Sequence, residues 1–121
     1  MILVDTSVWI DHLRAEDTHL TDLLYTNRVL IHPMVVGELA CGNLRNRKEV
    51  LALLSDLPGV PAATHAEVLF LIEQHQLMGR GISYIDTHLL AATALSEPAQ
   101  LWTRDKRLLN VAAALNLAYN V

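Results

Sequence analysis

The stretch MILVDTSVWID, residues 1–11, decides the start of the fold and raises the first functional question. Residues 1–5 predict a short buried strand, because their apolar run is continuous and ends abruptly in an acid, Asp5. Two hydroxyl residues, Thr6 and Ser7, follow before a second apolar run begins. A carboxylate at the tip of a buried strand is costly to dehydrate unless it is paired, hydrogen-bonded or bound to a cation. We therefore look for partners of this acid in the rest of the chain.

Length and composition limit the organisation of the chain. We expect a single domain over residues 1–121, since a chain of this length is too short for two ordinary cores. Apolar residues make up 52% and charged residues 18% of the sequence, so we expect some apolar surface to be covered in a homodimer or by a partner. The net charge of -4 does not favour nucleic-acid binding through bulk charge. However, four carboxylates bound to metal would leave nine acids, matching the nine basic residues.

The sequence gives three indications of cellular location. No apolar run approaches the roughly 18 residues of a membrane span, so we expect no membrane partner. No basic region precedes the apolar start, which argues against a signal peptide. The single cysteine fits a reducing compartment. We therefore expect a cytoplasmic protein.

Strand-like and helix-like segments alternate along the chain. The predicted helices cover residues 7–13, 18–26, 33–42, 46–56, 65–78, 84–96 and 105–115. The predicted strands cover residues 1–5, 29–31 and 100–103, with weaker candidates at 60–63 and 117–119. This alternation predicts an α/β fold with a mostly parallel sheet covered on both faces. Sites in such sheets form at the carboxyl ends of the strands, so Asp5 and Asp105 are expected at the same edge.

Each candidate acid also has a purely structural explanation. Asp5 and Asp105 suit the N-cap position of the helices that follow them. Ser83 and Asp86 have the spacing of a capping box. Glu38 is harder to explain in this way, because it is the one formally charged residue in the segment HPMVVGELACG, residues 32–42. We expect apolar surroundings for this glutamate, which would then need a cation, a hydrogen-bond network or a proton.

The four acids would form one functional site if they shared a pocket. Their mutual repulsion would raise some of their pKa values, and a hard divalent cation would relieve it. Oxygen ligands favour Mg²⁺ or Mn²⁺, and the absence of a histidine or cysteine pair points away from zinc. Such a metal activates a bound water and neutralises charge on phosphate, which suggests phosphodiester hydrolysis.

Four segments in register resemble the PIN-domain family, and specifically its VapC-type toxins. They are V-D-T-S-V-W-I-D (4–11), M-V-V-G-E-L (34–39), I-D-T-H-L-L-A-A-T-A (85–94) and L-W-T-R-D-K-R-L (101–108). The resemblance implies a three-layer α/β/α domain around a mostly parallel central sheet. It also implies a Mg²⁺- or Mn²⁺-dependent endoribonuclease, the toxin of a type II toxin–antitoxin pair. Its implied partners are an RNA substrate and a cognate antitoxin that lies across the active-site groove.

The resemblance assigns roles to individual positions. The catalytic and metal-binding residues that it implies are Asp5, Glu38, Asp86 and Asp105, and the supporting hydroxyls are Ser7 and Thr103. Positive charge beside these acids should hold RNA phosphates. We expect it to come from Arg104, Lys106 and Arg107, which flank Asp105.

Two other functions are compatible with the same fold class. A receiver-type signalling domain would use Asp56, in the segment Asp56-Leu-Pro-Gly, as a phosphoacceptor and Lys106 as its late lysine. Against it, Asp5 has no second acid beside it, and Asp56 ends a predicted helix. A non-catalytic PIN-like interaction module would use the acids only as helix caps. Metal-dependent stabilisation and RNA cleavage separate these alternatives from a nuclease.

Overall fold

The computed structural model describes residues 1–121, which form three short strands and seven helices. The strands are β1 (Ile2–Val4), β2 (Val29–Leu30) and β3 (Gln100–Trp102). The helices are α1 (Thr6–Arg14), α2 (Thr18–Tyr25), α3 (Pro33–Ala40), α4 (Arg47–Ser55), α5 (His65–His75), α6 (Tyr84–Leu95) and α7 (Lys106–Ala114). None of these helices combines the length and the apolar character that a membrane span requires.

The sheet is entirely parallel, with β1 in the centre. The strand order is β2-β1-β3, and Ile2 is paired with Val29 on one side and Gln100 on the other. All three residues of β1 are buried, because helices cover both faces of the sheet. The predicted three-layer α/β/α architecture is confirmed. The parallel arrangement places the carboxyl ends of the strands at one edge, where Asp5 follows β1 and Thr103 follows β3.

Helix α6 is the most deeply buried helix of the chain. Residues 87–93 form an unbroken buried run along it, because the helix packs against both α5 and β3. Ser83 and Asp86 at its first turn form a complete capping box, which fixes where the helix begins. The buried helix therefore holds Asp86 at a defined place beside the sheet.

Three predictions about secondary structure were wrong in detail. Residues 60–63 form no strand, and this region contributes only an isolated bridge between Ile31 and Gly59. The pairing cannot extend further because Pro61 has no N–H to donate. Residues 117–119 likewise contribute a single bridge, from Ala118 to Leu101. Helix α5 ends at His75 because Gln76 takes a left-handed conformation with φ 52°, three residues before the expected stop at Gly79.

Candidate active site

Asp5 is a buried carboxylate held by two hydroxyl groups. It is 6% exposed, and its Oδ2 accepts hydrogen bonds from Ser7 Oγ and Thr103 Oγ1, each at 2.8 Å. Asp5 occupies the N-cap position of α1, but its side chain makes no capping hydrogen bond. The capping explanation is therefore wrong for this side chain. Hydroxyls from the first turn of α1 and from the residue after β3 fix it instead.

The same two hydroxyls connect the loop after β1 to the loop after β3. Thr103 Oγ1 accepts a hydrogen bond from the backbone N–H of Asp105 at 3.1 Å. Ser7 Oγ accepts one from the backbone N–H of Arg104, also at 3.1 Å. Residues 5–7 and 103–105 are thus tied together around one carboxylate oxygen. The expectation that Ser7 and Thr103 lie at the acidic site agrees with this geometry.

Asp86 and Asp105 both cap helices with one carboxylate oxygen. Asp86 Oδ2 accepts from the backbone N–H of Ser83 at 3.0 Å. Asp105 Oδ1 accepts from the backbone N–H groups of Arg107 at 2.9 Å and Leu108 at 3.1 Å. The structural explanation proposed for these two acids is therefore correct. Each of the two carboxylates keeps a second oxygen that accepts no hydrogen bond from the protein.

The pKa of Asp86 responds to two other acids of the site. Burial of this half-buried carboxyl raises its pKa above the ordinary value of 3.8, and the charges of Asp5 and Asp105 raise it further. The capping hydrogen bonds from Ser83 oppose the shift without cancelling it. Asp86 therefore lies within electrostatic reach of both Asp5 and Asp105 at the carboxyl edge of the sheet.

Glu38 does not have the apolar surroundings expected from its sequence neighbours. It is exposed on α3, and its Oε1 accepts a hydrogen bond from Thr6 Oγ1 at 2.7 Å. The expectation was wrong because the apolar neighbours Val35 and Leu39 turn into the core while Glu38 emerges at the helix flank. This hydrogen bond nevertheless brings Glu38 close to the site, because Thr6 directly follows Asp5 in the chain.

The donor set fits a hard divalent cation in its chemistry. Asp5, Asp86 and Asp105 each present one carboxylate oxygen without a protein donor; Asp5 is buried, Asp86 half-buried and Asp105 exposed. Oxygen donors of this kind are those that Mg²⁺ and Mn²⁺ prefer. As the side chains stand, no three or more His, Cys, Asp or Glu residues are grouped closely enough to hold a metal ion. The residues present are therefore suitable ligands that do not form a finished coordination shell.

The basic residues beside Asp105 differ in their availability. Arg104 is bound to Asp11 Oδ2 at 2.7 Å and to Asp17 Oδ2 at 2.5 Å, so contact with an RNA phosphate would compete with these two ion pairs. Lys106 is exposed and forms no ion pair. Arg107 is exposed and crosses Gly81 so closely that a Cβ there would lie 2.6 Å from its Cδ. Lys106 and Arg107 remain candidates for phosphate contact.

A buried histidine pair lies between the helices that carry Glu38 and Asp86. His32 caps α3, with its Nδ1 accepting from the N–H of Met34 at 3.0 Å, and its ring centre is 6.2 Å from that of His88 on α6. His32 Nε2 and His88 Nδ1 have no hydrogen-bond partner. Burial is the larger cause that lowers the pKa of both rings. The charge of His88 lowers the pKa of His32 further, and the charge of His65 does the same for His88. This pair could not be recognised from the sequence, because its members are distant in the chain.

The receiver-type alternative conflicts with the position of Asp56. This residue is exposed and forms the C-cap of α4, whereas a phosphoacceptor in such a domain would follow a strand. The sheet also contains three strands, none of which ends near Asp56.

Comparison with known proteins decides the family. The family model described as PIN domain matches residues 2–114, nearly the whole chain. The chain belongs to the PIN-domain family. Two relatives named Ribonuclease VapC32, from Mycobacterium tuberculosis strains CDC 1551 / Oshkosh and ATCC 25618 / H37Rv, are each 52% identical to it over 108 residues. The match covers 89% of this chain and 87% of each relative. The resemblance of this PIN-domain protein to VapC-type proteins is therefore confirmed.

Proposed function

We propose that this chain is a metal-dependent endoribonuclease and the toxin of a type II toxin–antitoxin pair, built as a single PIN-like domain over residues 1–121. The observation that carries the proposal is the electrostatic convergence of Asp5, Asp86 and Asp105 at the carboxyl edge of the parallel sheet. The identity of 52% to proteins named as ribonucleases supports the same conclusion.

The proposed catalytic group consists of the four acids. Asp5, Asp86 and Asp105 would hold Mg²⁺ or Mn²⁺, and Glu38 would bind a second ion or orient the attacking water. When bound, the cation supplies a water of lowered pKa and neutralises charge that develops on the phosphate. The protein's own contribution is orientation, since a catalytic group must be held in place before the reaction.

The fixed parts of the site follow from the hydrogen bonds. Ser7 and Thr103 hold Asp5 through one oxygen. Ser83 holds Asp86 through its Oδ2, and the first turn of α7 holds Asp105 through its Oδ1. In-line attack by water leaves a 5′-phosphate and a 3′-hydroxyl. A histidine-based ribonuclease would use the 2′-hydroxyl and leave a cyclic phosphate, so the product ends distinguish the two chemistries.

The proposed partners follow from the same electrostatics. Lys106 and Arg107 would hold the phosphates of a single-stranded RNA at the rim, since sequence-specific RNA recognition favours unpaired segments. A cognate antitoxin would block the acids with a positively charged side chain. We also propose a homodimer, which fits the exposed apolar side chains of Leu69 and Phe70, and a cytoplasmic location.

RNA cleavage with and without a chelator tests this function. Wild-type protein should cleave single-stranded RNA with Mg²⁺ or Mn²⁺ and lose the activity in EDTA. Asp86→Asn should reduce the rate by at least about 100-fold, because outer-shell partners of metals alone are worth about 10–100-fold. Asp56→Asn is the matched control, since it neutralises an exposed aspartate at a helix end outside the site. Cleavage that persists in EDTA and in Asp86→Asn would contradict the proposal.

A further inference from the structure

A groove lies directly beside the acidic site. It has a volume of about 470 Å³ and eight lining residues, half of which are hydrophobic. The lining includes Trp102, Thr103, Arg104, Tyr119 and Asn120. Its size falls in the range of about 300–1,000 Å³ found for small-molecule sites. Thr103 belongs both to this groove and to the hydrogen-bond network of Asp5. A ligand in the groove would therefore lie next to any substrate bound at the acids.

Arg104 in this groove is not free to bind phosphate. One terminal nitrogen is bound to Asp11 and the other to Asp17, and the guanidinium carbon lies over the Trp102 ring, 5.6 Å from its centroid. Two carboxylates outnumber one guanidinium, so the local charge repels a phosphate. The same contacts hold the guanidinium rigidly, and 36% of the side chain stays exposed. A fixed, planar guanidinium that is already paired with carboxylates suits a flat neutral ligand better than an anion.

The support beneath Arg104 is rigid. Trp102 is 4% exposed, so it acts as a floor and offers little surface of its own. Tyr119 lies against Trp102 with ring centres 5.9 Å apart, and its hydroxyl is hydrogen-bonded to His19 Nε2 at 2.7 Å. Asn120 adds an amide to the groove, which can both donate to and accept from the edge of a base. The groove thus combines a flat surface with a polar edge.

The backbone locks this surface to the catalytic acids. The N–H of Arg104 donates to Ser7 Oγ at 3.1 Å, and Ser7 donates to Asp5. Bases of single-stranded RNA stack on arginine planes and aromatic rings. We propose that Arg104, supported by Trp102 and Tyr119, forms a stacking subsite for one unpaired nucleobase of the RNA, next to the phosphate that is cleaved. This subsite rests on the proposed ribonuclease function.

A set of RNA oligonucleotides with one abasic position each tests the subsite by cleavage. For wild type, removal of one base beside the cleaved bond should lower kcat/KM about 10-fold, a value within the range of base–aromatic stacking. Arg104→Lys keeps the charge for Asp11 and Asp17 but removes the plane. This variant should lower kcat/KM for intact RNA by the same factor and abolish the sensitivity to that abasic position. Lys48→Ala, which changes an exposed cation on α4 outside the groove, is the control and should leave the abasic profile unchanged.

A binding measurement separates failure of the subsite from failure of the proposed function. Fluorescence anisotropy of a labelled oligonucleotide is measured with Asp86→Asn and with the double variant Asp86→Asn/Arg104→Lys. The double variant should bind intact RNA about 10-fold more weakly, and equal melting temperatures show that both are folded. An abasic profile or an RNA affinity that Arg104→Lys leaves unchanged overturns the subsite. If wild type cleaves no RNA with either cation, the proposed function is wrong, and the affinity comparison still decides whether Arg104 stacks a base.

Discussion

Replacing Thr103 with valine removes one hydroxyl at the centre of the site while keeping the shape of the side chain. In the folded protein this hydroxyl donates to Asp5 Oδ2 at 2.8 Å and accepts from the N–H of Asp105 at 3.1 Å. A hydrogen bond to a charged group contributes about 1.5–3 kcal/mol, and an unpaired backbone N–H adds a smaller cost. Ser7 still donates to Asp5, so the carboxylate keeps one hydrogen-bond donor. We expect Thr103→Val to lower the free energy of unfolding by about 2–3 kcal/mol.

The assay is equilibrium unfolding in urea, supported by thermal melting without metal. For a chain of this length a loss of 1 kcal/mol lowers Tm by about 3–5 °C, so Thr103→Val should melt about 6–15 °C below wild type. Thr103→Ser is the matched control because it keeps the hydroxyl and loses a methyl group. Since Thr103 is buried, that loss should cost about 1 kcal/mol.

A double-mutant cycle attributes the effect to the contact with Asp5. Combining Thr103→Val with Asp5→Ala should give a coupling energy of about 1–2 kcal/mol, because each change removes the same hydrogen bond. A valine variant no less stable than the serine variant would refute the reasoning. A coupling energy near zero would also refute it, since the hydroxyl would then not hold the carboxylate.

Three further predictions concern other groups of the site and the fold. Because burial and neighbouring charges raise the pKa of Asp86 in the folded protein, the contribution of this group to stability is fully present below pH 3.8 and is lost as pH rises through the folded value. Asp86→Asn should therefore raise the metal-free Tm near pH 7, and this gain should disappear in melts below pH 3.8. The pKa of His88 and of His32 is lowered from 6.5, so the contribution of these two groups to the free energy of unfolding is complete above pH 6.5 and falls as pH drops below that value. Urea unfolding from pH 7.5 to 5 should show this dependence on pH, and His88→Asn should reduce its slope. Gly81→Ala should lower the free energy of unfolding by about 1–2 kcal/mol, because φ at Gly81 is +80° and Arg107 lies against it. Gly37→Ala, in the open middle of α3, should raise it by about 0.5–1 kcal/mol. Equal effects of the two changes in urea unfolding would contradict this prediction.

The elements that carry Asp5 and Asp105 could be predicted from the sequence because the relevant signals are local. The short apolar run before Asp5 and the helical spacing after Asp105 each identify an element within a few residues. The parallel sheet then places both acids at the same edge without further information. The capping box of Ser83 and Asp86 is equally local, and it was predicted with the correct partners.

Contacts between distant segments could not be predicted in the same way. Arg104 lies 93 residues from Asp11 and 87 from Asp17, so its ion pairs were invisible in the sequence and it was assigned to phosphate. Glu38 has apolar neighbours along its helix, yet its exposure is set by the position of α3 against α1. Both environments were missed because the sequence pattern describes one element, whereas the environment of a charged group is made by several.

Titration of Mn²⁺ into the metal-free protein, followed by calorimetry, tests most directly whether the acids form one cation site. Wild type should bind Mn²⁺, and Asp5→Asn, Asp86→Asn and Asp105→Asn should each weaken the affinity at least about 10-fold, because each removes a charged oxygen ligand. Asp56→Asn should bind as wild type does. Wild-type protein that takes up no Mn²⁺, or three site variants that bind it as tightly as wild type, would show that these carboxylates serve only to build the fold.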